Sequence, residues 1–144
     1  MGRDRDRTEH RTGRGAFQKA EICVPIAAEH AAAFRAEGWD VAEDHAAPDA
    51  IVRVHPNNPD GSFADEADLT APLTVIDESF CDVTPDRSLI HLAQRPNTLV
   101  LKSFGKFWGL AGLRIGFAVG DPALIARLSD MMGPWAVSGP ALQV

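Results

Sequence analysis

Short apolar segments rich in β-branched residues recur along this sequence, and they constrain its fold more than any other feature. The clearest of them are AIVRV at residues 50–54, LTVI at 73–76, TLVL at 98–101 and IGFAV at 115–119. Near-continuous apolar runs of this length are typical of strands that are buried on both faces, as in a parallel sheet. Weaker segments at residues 22–24 and 39–42 extend the pattern, so the sequence predicts a sheet of several strands.

Helical segments alternate with these strands. Residues 27–37 are rich in alanine and are followed by Gly38, a residue type that commonly ends helices. Residues 122–132 begin with Pro122, which suits the first turn of a helix, and a short helix is predicted over residues 88–93. This alternation predicts an α/β fold, here a mostly parallel sheet with helices on both faces.

Composition and charge fit a single globular domain and argue against several classes of function. The chain has 144 residues, of which 45% are hydrophobic and 24% charged, and its net charge of −6 argues against a nucleic-acid partner. Cys23 and Cys81 show no CxxC spacing, which favours a reducing compartment. No apolar run is long enough to cross a membrane, and the first residues lack the apolar stretch of a secretory signal. We therefore expect a cytoplasmic protein with no membrane partner.

The first residues differ in composition from the rest of the chain. Residues 1–15 contain five arginines together with Asp4, Asp6 and Glu9, and they have almost no apolar side chains to bury. Such a segment cannot order itself on a hydrophobic core. The composition predicts a disordered basic tail over residues 1–20 and one domain over residues 21–144.

Polar side chains follow three of the predicted strands at the point where each strand ends. Asn57 and Asn58 follow the strand at residues 50–54, Asp77 follows the next strand, and Ser103 and Lys106 follow the strand at 98–101. Ligands of parallel α/β sheets bind at the carboxyl ends of the strands. The sequence therefore predicts a ligand site at this edge of the sheet.

Two of these polar features each leave two interpretations open. A carboxylate at the end of a buried strand, such as Asp77, needs a cationic partner. That partner is either an arginine or a helix N-terminus in the protein, or a protonated ring nitrogen of a cofactor. The segment HPNNPDG is either a plain turn or a loop that presents an asparagine amide to a phenolic oxygen.

Lys106 and Arg114 lie in the glycine-rich segment SFGKFWGLAGLRIG. The apolar neighbours of Lys106 favour an unprotonated, nucleophilic amine, against the ordinary alternative of a surface lysine. The planar guanidinium of Arg114 and the hydroxyl of Ser103 suit a phosphate group. The five histidines show no metal-ligand spacing, so no metal site is predicted.

The series HPNNPDG, TVIDESF and LKSFGKFWGLAGLRIGFAVG resembles the class I/II aminotransferase superfamily, fold-type I enzymes that depend on pyridoxal 5'-phosphate (PLP). The resemblance covers residues 22–144 and implies that they form part of the PLP-binding large domain of such an enzyme. It implies that Lys106 forms a Schiff base with PLP and later shuttles a proton, and that Asp77 pairs with the pyridine nitrogen. It also implies that Asn58 binds the ring hydroxyl and that Ser103 and Arg114 hold the phosphate.

Within this superfamily the sequence is most similar to the decarboxylases that act on L-threonine phosphate in cobalamin biosynthesis. The similarity lies in DESF followed closely by Asp82, in SFGKF and in PIAAEHAAAFRAEG. It implies a small phosphorylated amino acid as substrate and aminopropanol phosphate as product. An aminotransferase similar to those that act on histidinol phosphate is the alternative, because that group shares most of these motifs.

The sequence also departs from the pattern of the superfamily. Phe80 stands where many members have a tyrosine that helps to bind the ring hydroxyl, a substitution that the decarboxylase group shares. The substrate lid, the glycine- and serine-rich phosphate loop and the small domain of the family have no counterpart in these 144 residues. We therefore expect a fragment, with a truncated remnant that does not catalyse as a further alternative. A homodimer is expected for the full-length enzyme, and poor solubility and low stability for the fragment.

Overall fold

The computed structural model describes residues 18–22 and 28–143, and these contain one six-stranded sheet flanked by helices. The strands are β1 (Lys19–Ile22), β2 (Asp40–Ala42), β3 (Ala50–Val54), β4 (Leu73–Asp77), β5 (Thr98–Ser103) and β6 (Gly116–Gly120). The α-helices among the described residues are α1 (Ala28–Ala36) and α2 (Pro122–Met132). The predicted strands from residue 39 onward and both longer helices are confirmed, with small shifts in their bounds.

The strand order along the sheet is β2-β1-β3-β4-β5-β6. Neighbouring strands are parallel except for β5 and β6, which run antiparallel. In the register of the sheet, Val54 lies opposite Asp77, and Ser103 lies opposite Gly116. The predicted mostly parallel α/β sheet is confirmed, and the carboxyl ends of its parallel strands meet at one edge.

The sheet starts earlier in the chain than the sequence predicted. β1 begins at Lys19, and within it Ala20 and Ile22 are fully buried. Successive side chains of a strand point to opposite faces, so Ala20 and Ile22 lie on one face and Lys19 and Glu21 on the other. Lys19 and Ala20, which fell within the tail expected over residues 1–20, are thus part of a strand. Residues 1–17 lie outside the described part of the chain, as do residues 23–27 and 144.

Two hydrophobic cores lie on the two faces of the sheet. On one face, Val52 packs in the same core as Ala31 of α1. On the other face, Ile51 packs in a core with Leu92, which belongs to the 3-10 helix Ile90–Gln94. Adjacent residues of β3 thus serve different cores, and helices cover both faces as predicted. The short helix expected over residues 88–93 is present as a 3-10 helix and not as an α-helix.

β6 is the edge strand at one end of the described sheet, and α2 follows it in the chain. The side chain of Asp121 accepts hydrogen bonds from the backbone N–H groups of Ala123 (2.7 Å) and Leu124 (3.4 Å) and so caps the N-terminus of α2. Pro122 occupies the first turn of this helix, as predicted. Four of the five residues of β6 are exposed. None of the described helices combines the length and the apolar character needed to span a lipid bilayer.

Candidate active site

The candidate site lies at the edge of the sheet where the parallel strands end. A cavity of about 390 Å³ is formed there by residues from β3, β4, the start of α1 and the loop that follows β5. Its lining residues are Glu29, His30, Val54, Asn58, Asp77, Ser79, Phe80 and Lys106. The structure thus brings together three of the five residues predicted to bind a cofactor, namely Asn58, Asp77 and Lys106.

Asp77 is the last residue of β4, and both of its carboxylate oxygens have hydrogen-bond partners. Oδ1 accepts hydrogen bonds from the backbone N–H of Ser79 at 2.9 Å and from the Ser79 hydroxyl at 2.5 Å. Oδ2 lies 2.9 Å from Nε2 of His30, a residue of α1. The Asp77 side chain is only 17% exposed, so these contacts replace much of its hydration. Among the described residues His30 is therefore a partner of Asp77, where the sequence had offered an arginine or a helix N-terminus of the protein.

His30 and Asp77 each shift the pKa of the other. The hydrogen bond to Asp77 raises the pKa of His30 above its ordinary value, against the opposing effect of burial. Burial acts to raise the pKa of Asp77, but the hydrogen bonds from His30 and Ser79 outweigh it, and the pKa is lowered. Asp77 is therefore ionised at neutral pH, and His30 keeps its proton to a higher pH than a free histidine does.

His30 is a residue of the site that the sequence alone did not identify. It precedes Asp77 by 47 residues, and no local motif connects the two. The signal that could have found it is topological, because a helix that follows a parallel strand begins at the edge of the sheet where the strands end. Glu29 and His30 lie at the start of α1 and so reach the same edge as Asp77.

The segment HPNNPDG is both a turn and a part of the cavity wall. Oδ1 of Asp60 accepts a hydrogen bond from the Asn57 amide at 3.0 Å and two more from Ser62, each at 2.9 Å. Gly61 has a φ of +70°, a left-handed conformation that favours glycine. Asn57 is thus bound within the turn, whereas Asn58 is exposed and lines the cavity. The segment therefore forms the turn that one interpretation predicted, and its Asn58 also lines the cavity, as the other interpretation requires.

Lys106 lies in the loop after β5, with its Nζ 5.3 Å from the centre of the Phe80 ring. An aromatic face at this distance attracts an ammonium group. Lys106 is itself exposed, and its neighbours Phe107 and Trp108 are 54% and 55% exposed. The dry surroundings that the apolar neighbours predicted are therefore absent from the described structure. The amine is instead open to the cavity and to solvent.

The other two predicted residues, Ser103 and Arg114, line a second cavity of about 210 Å³. Ser103 ends β5 opposite Gly116 of β6, so residues 104–115 leave the sheet and return to it at the same point. A Cβ atom at Gly116 would lie 2.5 Å from the carbonyl oxygen of Lys102, and the close approach of these strands therefore requires glycine. Ser103 and Arg114 thus bring a hydroxyl and a guanidinium to one cavity, as a phosphate site needs. The residues Asn58, Asp77 and Lys106 line the other cavity.

A third group of side chains has the composition of a metal site. The ligand atoms of His55, Glu78 and Cys81, all buried, lie within 4.8 Å of one another. Both ring nitrogens of His55 already contact backbone groups, at 2.8 and 3.1 Å. Glu78 accepts hydrogen bonds from Lys102 at 2.8 Å and from two further donors. Burial raises the pKa of the Cys81 thiol, which keeps it protonated, so we interpret this group as a structural hydrogen-bond network.

The fold defines the class of protein to which the chain belongs. The sheet of this protein is mostly parallel, with one antiparallel strand and with helices on both faces, and it matches the architecture of the fold-type I PLP-dependent enzymes. The crystal structure of L-threonine-O-3-phosphate decarboxylase from Porphyromonas gingivalis matches with a TM-score of 0.71 and 26% sequence identity. The match covers 86% of this chain and 46% of that one.

Sequence comparison then identifies the family. The aminotransferase class I and II family matches residues 23–144, and the chain belongs to this family. The threonine-phosphate decarboxylase of Pseudomonas aeruginosa is 40% identical over an alignment 140 residues long, and the alignment covers 85% of this chain and 42% of that protein. A histidinol-phosphate aminotransferase of Sinorhizobium fredii is 38% identical over an alignment 87 residues long, and the alignment covers 56% of this chain and 24% of that protein. The chain thus spans less than half the length of these relatives.

Proposed function

We propose that this chain is part of a PLP-dependent enzyme that converts L-threonine O-3-phosphate to aminopropanol phosphate and carbon dioxide. The observation that carries the proposal is the grouping of Asn58, Asp77 and Lys106 around one cavity at the carboxyl edge of the sheet. Membership of the aminotransferase class I and II family implies PLP as the cofactor. Similarity to the decarboxylases of Pseudomonas aeruginosa and Porphyromonas gingivalis favours this reaction over others. The complete enzyme is proposed to be a cytoplasmic homodimer.

The residues of the two cavities fit PLP in their chemistry. Asp77 is an ionised carboxylate of low exposure, suited to hold a ring nitrogen in its protonated form. The exposed amide of Asn58 would donate a hydrogen bond to the ring hydroxyl, and Lys106 would supply the amine. Ser103 and Arg114, at the second cavity, would hold the phosphate. When bound, PLP supplies an electron sink for the bond that breaks at the substrate Cα.

The protein itself supplies positioning and proton transfer in this proposal. Protonated His30 donates its Nε2 hydrogen to Oδ2 of Asp77 and so keeps that carboxylate oriented and charged. The amine of Lys106 opens to the cavity, where it can accept a proton and return it at the substrate Cα. Nζ lies 5.3 Å from the centre of the Phe80 ring, which helps to place the amine within the cavity.

An aminotransferase similar to those that act on histidinol phosphate is the second candidate. The observation that favours it is the relative from Sinorhizobium fredii, whose 38% identity is close to the 40% of the Pseudomonas aeruginosa decarboxylase. A remnant that holds no cofactor is a third candidate, because the chain spans 42% of the length of that decarboxylase. The first two candidates predict different products and the third predicts none, so two experiments separate them.

The first experiment tests whether Lys106 binds PLP. The amine and the PLP aldehyde form a C=N bond with loss of water, and borohydride adds hydride to give a stable secondary amine. We expect peptide mass spectrometry to find the reduced pyridoxyl group on Lys106, and to find none in Lys106→Ala. Lys19→Ala is the matched control, because the exposed Lys19 lies in β1 and lines neither cavity. Lys106 would be excluded as the PLP-binding residue if the wild-type chain carried no pyridoxyl group. It would also be excluded if the total labelling of Lys106→Ala equalled that of the wild type.

The second experiment tests the reaction. The chain with PLP is incubated with L-threonine O-3-phosphate, and released carbon dioxide and aminopropanol phosphate are measured. A parallel reaction contains histidinol phosphate and a 2-oxo acid, and the new amino acid is measured. Decarboxylation that is lost in Lys106→Ala supports the first candidate, and amino transfer supports the second. Labelling of Lys106 without either product would overturn both for this chain.

A further inference from the structure

Asp82 connects the loop that carries Lys106 to the rest of the protein. It lies in the 3-10 helix Cys81–Val83, which follows β4, and its side chain is 23% exposed. We propose that Asp82 is a positioning residue, which fixes the loop of residues 104–110 and thereby the place of Lys106. The inference rests on the proposed role of Lys106 in PLP binding, and it adds a residue that touches neither cavity.

The two carboxylate oxygens of Asp82 serve two different donors. Oδ2 accepts a hydrogen bond of 2.8 Å from the indole Nε1 of Trp108, two residues after Lys106. Oδ1 accepts a hydrogen bond of 3.4 Å from Nζ of Lys102, a residue of β5. One side chain thus joins the loop to the strand that precedes it.

The far end of this connection is firmly held. Lys102 also contacts Oε2 of Glu78 at 2.8 Å, and the Glu78 side chain is fully buried. Glu78 in turn accepts hydrogen bonds from the Ser88 hydroxyl at 2.7 Å and the Leu89 backbone N–H at 2.5 Å. Burial acts to lower the pKa of Lys102, but its hydrogen bonds to Glu78 and Asp82 and their negative charges outweigh this, and the pKa is raised. Because Glu78 directly follows Asp77, the network links the Lys106 loop to the strand end that carries the other main group of the site.

The loop itself has few other connections. Its backbone closes on itself through hydrogen bonds from Gly109 N–H to the Lys106 carbonyl (3.1 Å) and from Leu110 N–H to the Phe104 carbonyl (3.0 Å). Trp108 is 55% exposed, so packing alone holds it weakly. Within residues 18–22 and 28–143, its bond to Asp82 is the only hydrogen bond made by a side chain of residues 104–110. Backbone N–H groups of Phe104 and Gly105 also donate, to the Ile115 carbonyl (3.3 Å) and the Ser103 hydroxyl (3.1 Å), which lie at the two ends of the loop. The carboxylate of Asp82 is therefore the polar contact that joins the middle of this loop to the helix after β4.

The first test uses the chain without cofactor, so that it does not depend on PLP binding. Asp82→Asn leaves one acceptor oxygen for two donors, and Trp108→Phe removes the donor while keeping an aromatic ring. We expect either change to speed backbone hydrogen exchange in residues 104–110 by roughly threefold to tenfold, as loss of one hydrogen bond implies. Asp86→Asn and Trp135→Phe are matched controls at exposed positions and should leave this exchange unchanged.

A second test measures the place of Lys106 directly. The rate at which PLP becomes fixed on Lys106 by borohydride should fall by a similar factor in Asp82→Asn and Trp108→Phe. The double variant should be no slower than Asp82→Asn alone, because that single change already breaks the contact between Asp82 and Trp108. Asp82→Glu keeps two acceptor oxygens and should restore most of the rate, which a general loss of folding would not allow.

The outcomes distinguish this inference from the proposed function. Wild-type exchange and labelling rates in Asp82→Asn would overturn the positioning role of Asp82. Should that variant fail to fold, Trp108→Phe decides the question, since the exposed indole is not part of either core. Faster exchange in the variants, with no labelling of wild-type Lys106, would support the positioning contact and refute the proposed function.

Discussion

At the scale of single residues, the contact between His30 and Asp77 makes the stability of the site depend on pH. A histidine with a raised pKa stabilises the fold fully below its ordinary value of 6.5, and this contribution is lost as the pH rises through the folded pKa. An aspartate with a lowered pKa contributes above its ordinary value of 3.8, and this is lost as the pH falls through the folded pKa. The pair therefore stabilises the protein most between pH 3.8 and 6.5.

We expect His30→Gln to flatten the pH dependence of stability above pH 6.5. In the wild type the urea midpoint should fall as the pH rises through this range, because His30 loses the proton that attracts Asp77. His91→Gln, at a side chain that is 57% exposed, is the control and should keep the wild-type profile. A variant profile as steep as that of the wild type would show that another group is responsible.

Asp77→Asn should lower the pKa of His30, because the hydrogen bond to Asp77 is the largest cause of its raised value. The measurement is a titration of the His30 ring proton signals by nuclear magnetic resonance. Glu29→Gln provides the comparison, since the charge of Glu29 is the smallest of the contributing causes and its removal should move the pKa less. Equal shifts in the two variants would contradict the assignment of Asp77 as the main partner.

At the scale of secondary structure, the pairing of β5 with β6 depends on glycine. A Cβ atom at Gly120 would lie 2.1 Å from the carbonyl oxygen of Thr98 and 3.0 Å from the Cα of Leu99. Both are backbone atoms of the neighbouring strand, so the strands themselves would have to move. We expect Gly120→Ala to destabilise the protein by about 1–3 kcal/mol, the range seen for overpacked sites.

Urea unfolding checks the effect of Gly120→Ala. Gly139→Ala is the matched control, because a Cβ atom there meets nothing within 4 Å. The control should differ little from the wild type. Similar losses in both variants would mean that the contact with β5 does not account for the effect.

Buried β-branched runs made most of the sheet predictable from the sequence. β3 has the bounds that AIVRV suggested, and β4 extends LTVI by one residue to Asp77. β1 was placed too late, because only Ala20 and Ile22 of its four residues are apolar and its polar positions obscure the pattern. The segment at residues 88–93 forms a 3-10 helix, a distinction that apolar spacing over so few residues does not make.

The polar residues that follow each strand predicted part of the candidate site, because the order of residues in the chain alone shows where they lie. Asn58, Asp77 and Lys106 were found in this way and do line one cavity. The contact of His30 with Asp77 was missed, since it depends on how α1 lies against strands that are distant in sequence. The exposure of Lys106 was also missed, because apolar neighbours in a loop need not bury the residue between them.

At the scale of the whole molecule, apolar surface is unevenly covered. Among the residues that the structure describes, ten of the exposed large hydrophobic side chains lie at or beyond Phe107: Phe107, Trp108, Leu110, Phe117, Val119, Met131, Met132, Trp135, Val137 and Leu142. Among the described strands β6 pairs only with β5, so its other edge offers free backbone groups. This part of the molecule therefore has both features that promote association between copies of a chain.

We expect the chain to self-associate as its concentration rises and the double variant Phe117→Thr, Val119→Thr to associate less. Threonine keeps the β-branched shape that suits a strand while removing exposed apolar surface. Sedimentation velocity measures the change. Val83→Thr and Ile90→Thr, which are exposed but lie outside this region, form the control pair. If the control pair reduces association equally, β6 is not the responsible surface.

The strand order also bears on how the protein folds while it is synthesised. β3, β4, β5 and β6 are neighbours in the sheet in the order in which they occur in the sequence, and β1 and β2 precede them. A ribosome releases the chain from its N-terminus, so each of the strands β4, β5 and β6 emerges when the strand it pairs with has already been made. The connections to be closed, at residues 55–72, 78–97 and 104–115, are short enough for their entropic cost to stay modest. The sheet can therefore grow outward from β3 one strand at a time during translation, and the lysine loop closes in the last of these steps.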